Sequence, residues 1–366
     1  MKIVQLLPEL NEGGVERGTM ELSRELVKLG HESIVISAGG KLQEQIEKDG
    51  GKHITFDVCS KNPLTVISRM MKLRKILKEL NPNILHVRSR VPAWLTYFAN
   101  KKLQLPFVTT VHGFNSVSPY SAIMAKGDSV ICVSGSIKTY IQEHYQTSDE
   151  KITVIPRGID LEKFNPQNTD VEFIRLFREE YMLKDKFIVT SVGRVTQLKD
   201  LETFISVIAL LKQIHSNVLG LIVGGVREDK QMYFESLKDL VKELGVEEHI
   251  IFTGSQSKVA EIYALSDVVV SSSKKPETFG RSVAEAIALN TPVVATGHGG
   301  VLDIIVESEN GFFYPVGDIE ALAKKILNAK ALKFDGYNYI SNHFSLENMV
   351  QKTLNVYKKA DECLQS

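Results

Sequence analysis

Short apolar runs alternate with segments of helical periodicity along the first half of the chain. The runs that predict strands are Lys2–Leu7, Ser33–Ser37, Ile54–Asp57, Ile84–Val87, Phe107–Val111, Ser129–Val133 and Thr153–Ile155. The apolar spacing between them predicts helices that include Glu16–Leu29, Pro63–Leu80 and Ser136–Tyr145. Strands that alternate with helices of this length are typical of βαβ units and a parallel sheet.

The alternation restarts after a polar stretch, Phe164–Asp170, which we interpret as a linker between domains. The later runs that predict strands are Phe187–Ser191, Leu219–Val223, Ile250–Phe252, Val268–Ser271 and Pro292–Ala295. At 366 residues the chain also exceeds the length at which a single core usually keeps growing. We therefore predict an α/β fold of two Rossmann-like domains, residues 1–166 and residues 171–344.

The last segment of the chain predicts one further helix. Its apolar stripe at helical spacing consists of Leu346, Met349, Val350, Leu354 and Tyr357. A lone helix must bury such a stripe, so we expect residues 345–366 to pack back on the N-terminal domain.

Composition narrows the class of protein. The formal net charge is zero, which argues against a nucleic-acid binder that needs a broad basic field. Residues 1–166 nevertheless hold 22 Lys and Arg against 17 Asp and Glu, whereas the other 200 residues hold 22 against 27. The N-terminal half is therefore mildly basic.

The chain has no sequence feature of a membrane span or a disulfide frame. No apolar run approaches the roughly 18 residues that a span requires, and Met1–Pro8 predicts a strand rather than a leader peptide. Cys59, Cys132 and Cys363 are far apart and form no CxxC pair, which predicts reduced thiols. We expect a cytoplasmic protein that at most lies on the inner face of the cytoplasmic membrane.

The densest cluster of candidate chemistry follows the predicted strand Val268–Ser271. It reads Pro276-Glu277-Thr278-Phe279-Gly280-Arg281-Ser282-Val283-Ala284-Glu285 and runs into an apolar helix. Gly280 would let backbone approach a ligand, and the first N–H groups of the helix would form an anion site. Glu277 and Glu285 could accept hydrogen bonds from two hydroxylated parts of one ligand. The alternative is a first-turn carboxylate and a solvated surface residue.

A cationic stretch follows the predicted strand Phe187–Ser191. Ligands of open α/β sheets bind beyond the carboxyl ends of strands, where Arg194 and Lys199 lie. A planar guanidinium and a mobile ammonium suit a diphosphate, although each alone could be an ordinary surface residue. Together with the paired glutamates, the two cations fit a nucleotide diphosphate and its sugar.

The N-terminal half carries weaker signals at its strand ends. Gly13 and Gly14 follow the first strand, where they could admit a phosphate or simply form a turn. His112 directly follows the strand Phe107–Val111 and is either ligand-facing or structural. The chain has no P-loop, no dinucleotide fingerprint and no Asp-x-Asp that would hold a metal against a diphosphate. We therefore expect no metal, and side-chain cations would have to offset the charge of the leaving group.

Taken together, these residues resemble the family 4 glycosyltransferases of the GT-B fold over essentially the whole chain. The segments that carry the resemblance are Gly13-Gly14, Thr110-Val111-His112-Gly113, Val133-Ser134, Ile155-Pro156-Arg157-Gly158-Ile159-Asp160, Gly193-Arg194 with Lys199, Phe252-Thr253-Gly254 and Glu277 to Glu285. The resemblance implies domains that face each other across a cleft and a metal-independent transfer that retains anomeric configuration. Thr278 and the pair Arg281-Ser282 depart from the usual family residues, which leaves the sugar open.

The resemblance also implies roles at the matching positions. Glu277 would hold hydroxyls of the donor sugar and Glu285 the ribose. Arg194 and Lys199 would bind the diphosphate, and His112 would lie near the sugar or the acceptor. Glu277, His112, Arg194 and Lys199 are the catalytic candidates. The remaining donor-binding candidates are Gly13, Gly14, Gly254, Phe279, Gly280, Arg281 and Ser282.

One predicted helix is suited to an anionic membrane surface. Over Arg69–Leu80 the apolar side chains fill one arc of the helix. The opposite arc holds Lys72, Arg74, Lys75 and Lys78. Such a face could support weak, salt-sensitive docking. In the alternative, the apolar arc packs on the sheet and the cations are simply solvated.

The leading functional hypothesis is an enzyme that moves a hexose-type sugar from a nucleotide-diphosphate donor to a lipid-linked or polysaccharide acceptor. Envelope glycan or lipopolysaccharide synthesis is the expected setting. The alternatives are a sugar-nucleotide epimerase and a catalytically silent sugar-nucleotide-binding subunit on the same fold. The candidate cations and glutamates argue against the silent subunit. The choice of UDP, GDP or ADP stays open.

Overall fold

The computed structural model describes residues 1–11 and 13–365, with side chains described as far as residue 362. The chain forms two compact units. The N-terminal unit is Met1–Gly158 together with the helix that starts at Leu346, and the C-terminal unit is Ile159–Ser345. Each unit has its own parallel sheet with helices, so the predicted α/β fold of two Rossmann-like domains is confirmed.

The sheet of the N-terminal unit has the order β3-β2-β1-β4-β5-β6-β7, and every pairing is parallel. Its strands are β1 (Lys2–Leu6), β2 (Glu32–Ser37), β3 (Lys52–Thr55), β4 (Ile84–Val87), β5 (Phe107–Val111), β6 (Ser129–Cys132) and β7 (Ile152–Val154). The connecting helices are α1 (Gly14–Lys28), α2 (Gln43–Lys48), α3 (Pro63–Leu80), α4 (Arg90–Asn100) and α5 (Gly135–Tyr145). The central strands are almost wholly buried, which is why they read as continuous apolar runs.

The sheet of the C-terminal unit has the order β10-β9-β8-β11-β12-β13, again with parallel pairs. Its strands are β8 (Phe187–Val192), β9 (Val218–Val223), β10 (Ile250–Gly254), β11 (Val268–Ser271), β12 (Val293–Thr296) and β13 (Gly311–Tyr314). The helices are α6 (Val171–Glu180), α7 (Leu201–Lys212), α8 (Gln231–Glu243), α9 (Val259–Leu265), α10 (Arg281–Ala288), α11 (Ile319–Ala329) and α12 (Gly336–Phe344). The sequence did not predict β13, because a four-residue apolar run after a turn carries no periodicity.

Short 3-10 helices complete both units. They span Ser121–Ala125, Asp149–Lys151, Pro166–Asn168, Gln197–Lys199, Glu228–Lys230, Glu247–His249 and Gly300–Asp303. None of the helices within the described ranges is both long and apolar enough to cross a membrane. Cys59 and Cys132 carry free thiols, and the side chain of Cys363 lies outside the described residues.

The last helix, α13 (Leu346–Gln365), packs on the N-terminal unit as predicted. Its apolar stripe joins residues of β1, β4 and β5 in one buried cluster. The fully buried Tyr357 places its hydroxyl 2.6 Å from Nδ1 of His86 on β4, and the Nε2 of His86 lies 2.6 Å from the Thr110 hydroxyl. A hydrogen-bonded chain of three side chains therefore fastens α13 to two neighbouring strands.

The division between the units falls after Gly158, whereas the sequence suggested a boundary at residue 166. The Ile159 N–H donates to the Phe344 carbonyl at 2.8 Å, and the Phe164 ring is buried in the core of the C-terminal unit. The polar stretch Phe164–Asp170 is not a free linker, because Asp170 accepts from the Phe173 N–H and caps α6. Polar residues that cap helices and polar residues that join domains look alike in sequence.

Candidate active site

The strand order reverses once in each sheet. The reversal lies between β8 and β11 in the C-terminal unit and between β1 and β4 in the N-terminal unit. In open α/β sheets, ligands bind beyond the carboxyl ends of the strands at such a switch point. A ligand is therefore expected to bind at the loops that follow these four strands.

In the C-terminal unit, the loops after β8 and β11 join Lys199 to Glu277. The Lys199 Nζ lies 2.5 Å from the Glu277 Oε1. The same oxygen accepts from the Ser273 hydroxyl at 2.6 Å and from the Ser271 hydroxyl at 3.4 Å. The sequence identified Lys199 and Glu277 but not the serines, although Ser271 ends β11 and Ser273 lies in the loop that follows it. Two residues predicted to hold different parts of the donor are thus in direct contact.

The environment keeps Glu277 ionised. Burial by itself would raise the pKa of its carboxyl, but the charge of Lys199 and the hydrogen bonds from Lys199, Ser273 and Ser271 outweigh burial and lower the pKa. A carboxylate has about four lone-pair sites. Glu277 can therefore keep its bond to Lys199 and still accept a hydrogen bond from a ligand hydroxyl.

The turn after β8 separates the two predicted cations. A Cβ on Gly193 would come within 2.8 Å of the Lys199 Cε, so glycine leaves the space through which Lys199 reaches Glu277. Arg194 is exposed, and its guanidinium makes no hydrogen bond or ion pair within the described part of the chain. The structure thus joins Lys199, but not Arg194, to the carboxylate.

The start of α10 requires glycine for two reasons. Gly280 has a φ of 95° in the left-handed region, and a Cβ there would come within 2.7 Å of the Val301 Cγ1. The ring of the preceding residue, Phe279, is only 2% exposed and packs in the core, so Phe279 can present only backbone to a ligand. The N–H groups that open an α-helix have no partner within it and favour an anion.

Glu285 is buried on α10, next to Tyr263. Its side chain is 8% exposed, and its Oε2 accepts from the Tyr263 hydroxyl at 3.2 Å. The Nη1 of Arg281 lies 3.9 Å from the Oε1, one helical turn away, and Ser282 beside it is partly exposed. The alternative that Glu285 is a solvated surface residue is therefore wrong.

Gly254 lies at the end of β10, where a β-bulge interrupts the pairing with β9. Its φ is 68°, in the left-handed region, and its carbonyl accepts from the Gly224 N–H at 2.9 Å. Gly254 therefore shapes the loop edge next to the turn after β8.

In the N-terminal unit, the loop after β1 meets an arginine that the sequence left without a role. Gly13 caps α1, and Gly14 is its first residue. A Cβ on Gly14 would collide with the Nη1 of Arg157, which follows β7. Gly14 is thus a place of close approach between backbone and a guanidinium, not merely a turn. The signals for Arg157 in the sequence were its position after a strand and its place in one of the segments that carry the family resemblance.

His112 lies between two guanidinium groups. The Arg88 Nε donates to its Nε2 at 3.2 Å, and the Arg157 Nη2 lies 3.4 Å from its Nδ1. Burial lowers the pKa of His112 well below the usual 6.5, and the charges of Arg157 and Arg88 lower it further. His112 is therefore neutral at physiological pH and acts as a hydrogen-bonding group, not as a cation.

Arg88 is the second arginine that the sequence analysis missed, although it directly follows β4. It is 7% exposed, and its Nη1 donates to the Gln5 side chain at 2.7 Å. Burial lowers the pKa of Arg88 to about 10, so the guanidinium stays charged. Arg88 and His112 line a pocket of about 260 Å³ together with Pro8, Glu16 and Arg90. This pocket lies at the switch point of the N-terminal sheet.

The described residues contain no group of three or more His, Cys, Asp or Glu side chains that could hold a metal ion. The polar groups that the candidate site does provide are the Lys199–Glu277 pair, the buried Glu285 and the start of α10.

Two protein families match the chain in succession. Residues 12–163 match the family described as Glycosyltransferase Family 4, and residues 173–342 match the family described as Glycosyl transferases group 1. A glycosyltransferase of Rickettsia africae ESF-5 is 33% identical, with a TM-score of 0.91 and coverage of 98% of both chains.

More distant relatives extend the comparison. HepE of Anabaena, solved in complex with UDP, is 21% identical with a TM-score of 0.86 over 98% of this chain and 100% of its own. It has also been solved with UDP-glucose. CapM of Staphylococcus aureus, a capsular polysaccharide biosynthesis glycosyltransferase, is 26% identical over 68% of this chain and 67% of its own. The full-length match to the Rickettsia enzyme and the two family matches show that this chain belongs to the GT-B glycosyltransferases of the family 4 type.

Proposed function

We propose that this glycosyltransferase moves a hexose from a nucleotide-diphosphate donor to a lipid-linked or polysaccharide acceptor, with retention of anomeric configuration and without a metal. The observation that carries the proposal is the contact between Lys199 and Glu277 at the switch point of the C-terminal sheet. It joins a cation for the diphosphate to a carboxylate for sugar hydroxyls, close in sequence to the helix start at Arg281.

The donor is proposed to bind the C-terminal unit. Lys199 and Arg194 would bind the diphosphate together with the N–H groups at the start of α10, and Glu285 would accept from the ribose. Gly254 and the backbone from Phe279 to Ser282 would complete the site. Because HepE binds UDP and UDP-glucose, uridine is the first nucleotide to test.

The proposed transfer takes place on one face of the sugar. A bond forms between the acceptor oxygen and the anomeric carbon while the bond from that carbon to the diphosphate oxygen breaks. The departing phosphate oxygen takes the acceptor proton, so the products are the glycoside and the protonated nucleoside diphosphate. Lys199 would stabilise the negative charge that develops on the leaving group, which is the task that preorganised cations perform in such sites.

The acceptor is proposed to bind the N-terminal unit, in the pocket that His112 lines. The neutral imidazole would orient an acceptor hydroxyl or a sugar hydroxyl by a hydrogen bond. Gly13 and Gly14 are proposed to admit the diphosphate. CapM acts in capsular polysaccharide synthesis, which supports a glycan or lipid-linked acceptor here.

Peripheral attachment to an anionic membrane on its cytoplasmic side is the second part of the proposal. Lys72, Lys75 and Lys78 are exposed on α3, which supports electrostatic docking. Arg74 does not belong to that surface, because its guanidinium donates to the carbonyls of Ala99 and Phe98 at 3.0 and 3.1 Å. The apolar arc of α3 packs in the core through Leu73 and Leu77, as the alternative interpretation expected.

A calorimetric screen against UDP-, GDP- and ADP-sugars tests the donor assignment. Binding of one donor should weaken when Lys199 is replaced. NMR of the product formed with a lipid-linked acceptor then gives the anomeric configuration, and activity after exhaustive chelation tests metal independence. Binding of a donor without transfer or epimerisation would favour a silent subunit, and epimerised donor without transfer would favour an epimerase. Binding of no donor would contradict the donor assignment.

A further inference from the structure

The exposed face of α3 changes character along its length. Its first half presents Leu64, Ile67 and Met71, which are 90%, 67% and 60% exposed. These residues follow one another at spacings of three and four, so they lie along one line of the helix. The same line continues into Lys75 and Lys78, which are also exposed. The face is therefore apolar at its beginning and cationic at its end.

A groove of about 500 Å³ lies between α3 and α4, beside the apolar half of this face. The apolar side chains that line it are Pro63, Val66, Val91, Trp94, Leu95 and Phe98. Single exposed apolar residues are ordinary, but a contiguous apolar surface marks a place where something binds. The volume lies within the range of sites that enclose small molecules.

Two aromatic rings that line the groove have lysines beside them, and these lysines line a neighbouring pocket. Trp94 donates from its Nε1 to the Tyr120 carbonyl at 2.8 Å and stacks on Phe98 with ring centroids 5.5 Å apart. The ammonium of Lys101 lies 5.3 Å from the centre of the Phe98 ring, and that of Lys126 lies 5.8 Å from the Trp94 ring. Amphipathic rings and lysines that reach from apolar surface to water are enriched where a protein meets a membrane.

The groove is held open by buried polar contacts. Arg69 is 8% exposed, and its Nη2 donates to the Ser60 carbonyl at 2.8 Å and to the Asn62 carbonyl at 3.4 Å. The Asn62 side chain in turn accepts from the Leu64 N–H at 3.0 Å and caps α3. The loop that forms one end of the groove is therefore fixed, so a ligand would find the groove already formed.

We propose that this surface, the exposed face of α3 with the α3–α4 groove, inserts into the acyl layer of an anionic bilayer and takes a lipid hydrocarbon chain into the groove. The proposal rests on the membrane attachment proposed above and goes beyond it, because electrostatic adsorption needs none of the apolar side chains. Residues 60–82 hold six Lys and Arg against a single Glu. That charge attracts anionic lipid and would repel the same surface of a second copy.

The chain provides its own reporter, because Trp94 is the one tryptophan in the sequence. The full-length protein is mixed with vesicles of phosphatidylcholine and phosphatidylglycerol whose acyl chains carry bromine, which quenches tryptophan on contact. We expect vesicle binding, a blue shift of the Trp94 emission and strong quenching. Emission that stays unquenched on bound protein would mean adsorption to headgroups only and would overturn the proposal, as would a failure to bind these vesicles.

Two sets of variants separate insertion from charge. The Ile67→Ser, Met71→Ser double variant should lose at least about tenfold in vesicle partitioning, because two exposed apolar side chains no longer leave water. In a triple variant with Lys72, Lys75 and Lys78 changed to Gln, a smaller fraction of the protein should bind vesicles at low salt. The Trp94 emission of the molecules that do bind should still be quenched.

Met232→Ser is the matched control, since Met232 is 89% exposed but lies in the C-terminal unit. It should leave partitioning unchanged. The proposal would be overturned if the Ile67→Ser, Met71→Ser variant partitioned into vesicles like the unaltered chain. It would also be overturned if the unaltered chain bound no vesicles but self-associated through Ile67 and Met71. Donor calorimetry on the same variants should give unchanged affinity, so a failure here is distinct from a failure of the donor assignment.

Discussion

Lys199 and Glu277 are in direct contact, and the charge of Glu277 depends on that contact. The Lys199 Nζ lies 2.5 Å from the Oε1 of the partly exposed Glu277, where its charge and hydrogen bond outweigh desolvation and lower the pKa of the carboxyl. Loss of Lys199 therefore changes the environment of the Glu277 carboxylate, and loss of Glu277 removes the ion pair of Lys199. The two side chains should behave as one functional unit rather than as two independent contacts.

Replacing either residue by Ala should abolish most transfer while the fold stays intact. We expect a loss on the order of 10²–10³ in kcat, comparable to the removal of one preorganised group from a charge-stabilising site. Steady-state kinetics test this, with circular dichroism as the check on the fold. The Lys199→Ala, Glu277→Ala double variant should be little worse than the single variants, because the two residues act together. Full activity in both single variants would contradict the site assignment.

Gly280→Ala tests the start of α10. We expect a loss of about 1–3 kcal/mol in stability, because the residue has a φ of 95° and the added methyl group would meet Val301. Donor binding should weaken with it, since the first turn of α10 would shift. Thermal unfolding and calorimetry measure the two effects.

Gly245→Ala is the control for Gly280→Ala. Gly245 also has a positive φ, of 61°, but no atom lies within 4 Å of its Cβ position. It should therefore lose stability only through backbone strain and keep its donor affinity. Equal loss of donor affinity in both variants would show that Gly280 has no special place at the site.

At the scale of elements, α13 shows how a local pattern becomes a long-range contact. Its stripe was readable from the sequence, and a buried cluster with β1, β4 and β5 accounts for it. The hydrogen bond between Tyr357 and His86, which are 271 residues apart, could not be predicted from the sequence. Helical periodicity identifies which face of a helix is buried. It does not show which polar side chain of another element that face will contact.

Tyr357→Phe should therefore destabilise the N-terminal unit without changing its packing. The His86 Nδ1 would lose its partner in a fully buried position, at a cost of about 1–3 kcal/mol. Chemical unfolding followed by Trp94 fluorescence measures the change, because Trp94 lies in that unit. Tyr337→Phe removes the hydroxyl of a partly exposed residue in the C-terminal unit. It should leave the midpoint of the unfolding transition that Trp94 reports unchanged.

At the scale of the whole molecule, the two units carry different charges and different buried ionisable groups. The N-terminal unit contains the buried His86 and the partly exposed His112, and desolvation lowers the pKa of both well below 6.5. Folded, both rings stay neutral as the pH falls below 6.5, whereas the unfolded chain takes up protons there. The unfolded state then binds more protons, so stability must fall as the pH is lowered.

The N-terminal unit should therefore lose up to about 1.4 kcal/mol per histidine for each pH unit below 6.5, until the folded rings themselves begin to titrate. Above that pH the two rings should contribute no slope. Denaturant titrations at several pH values, followed by Trp94 emission, provide the measurement. His112→Asn should reduce the slope, and an equally steep slope in that variant would contradict the neutral assignment.

The architecture and most of the donor-side candidates could be predicted from the amino-acid sequence, because both follow from local patterns. Apolar runs between helical segments identified α3 residue for residue and most strands to within two residues, and the strand ends pointed to Lys199, Glu277 and Glu285. Local patterns did less well where a short segment had no period, as in β13, and where helix caps resembled a linker.

Which of these side chains are in contact could be seen only in the folded chain. Folding joined Lys199 to Glu277 across 78 positions of sequence and brought Arg157 against Gly14. Arg74 does not belong to the cationic face of α3, because its guanidinium donates to the Ala99 carbonyl. Ile67 lies exposed beside a groove. The physical reason is the same in each case. Periodicity records how a residue faces its own element, whereas contact between elements depends on strand order, and strand order has no local signature.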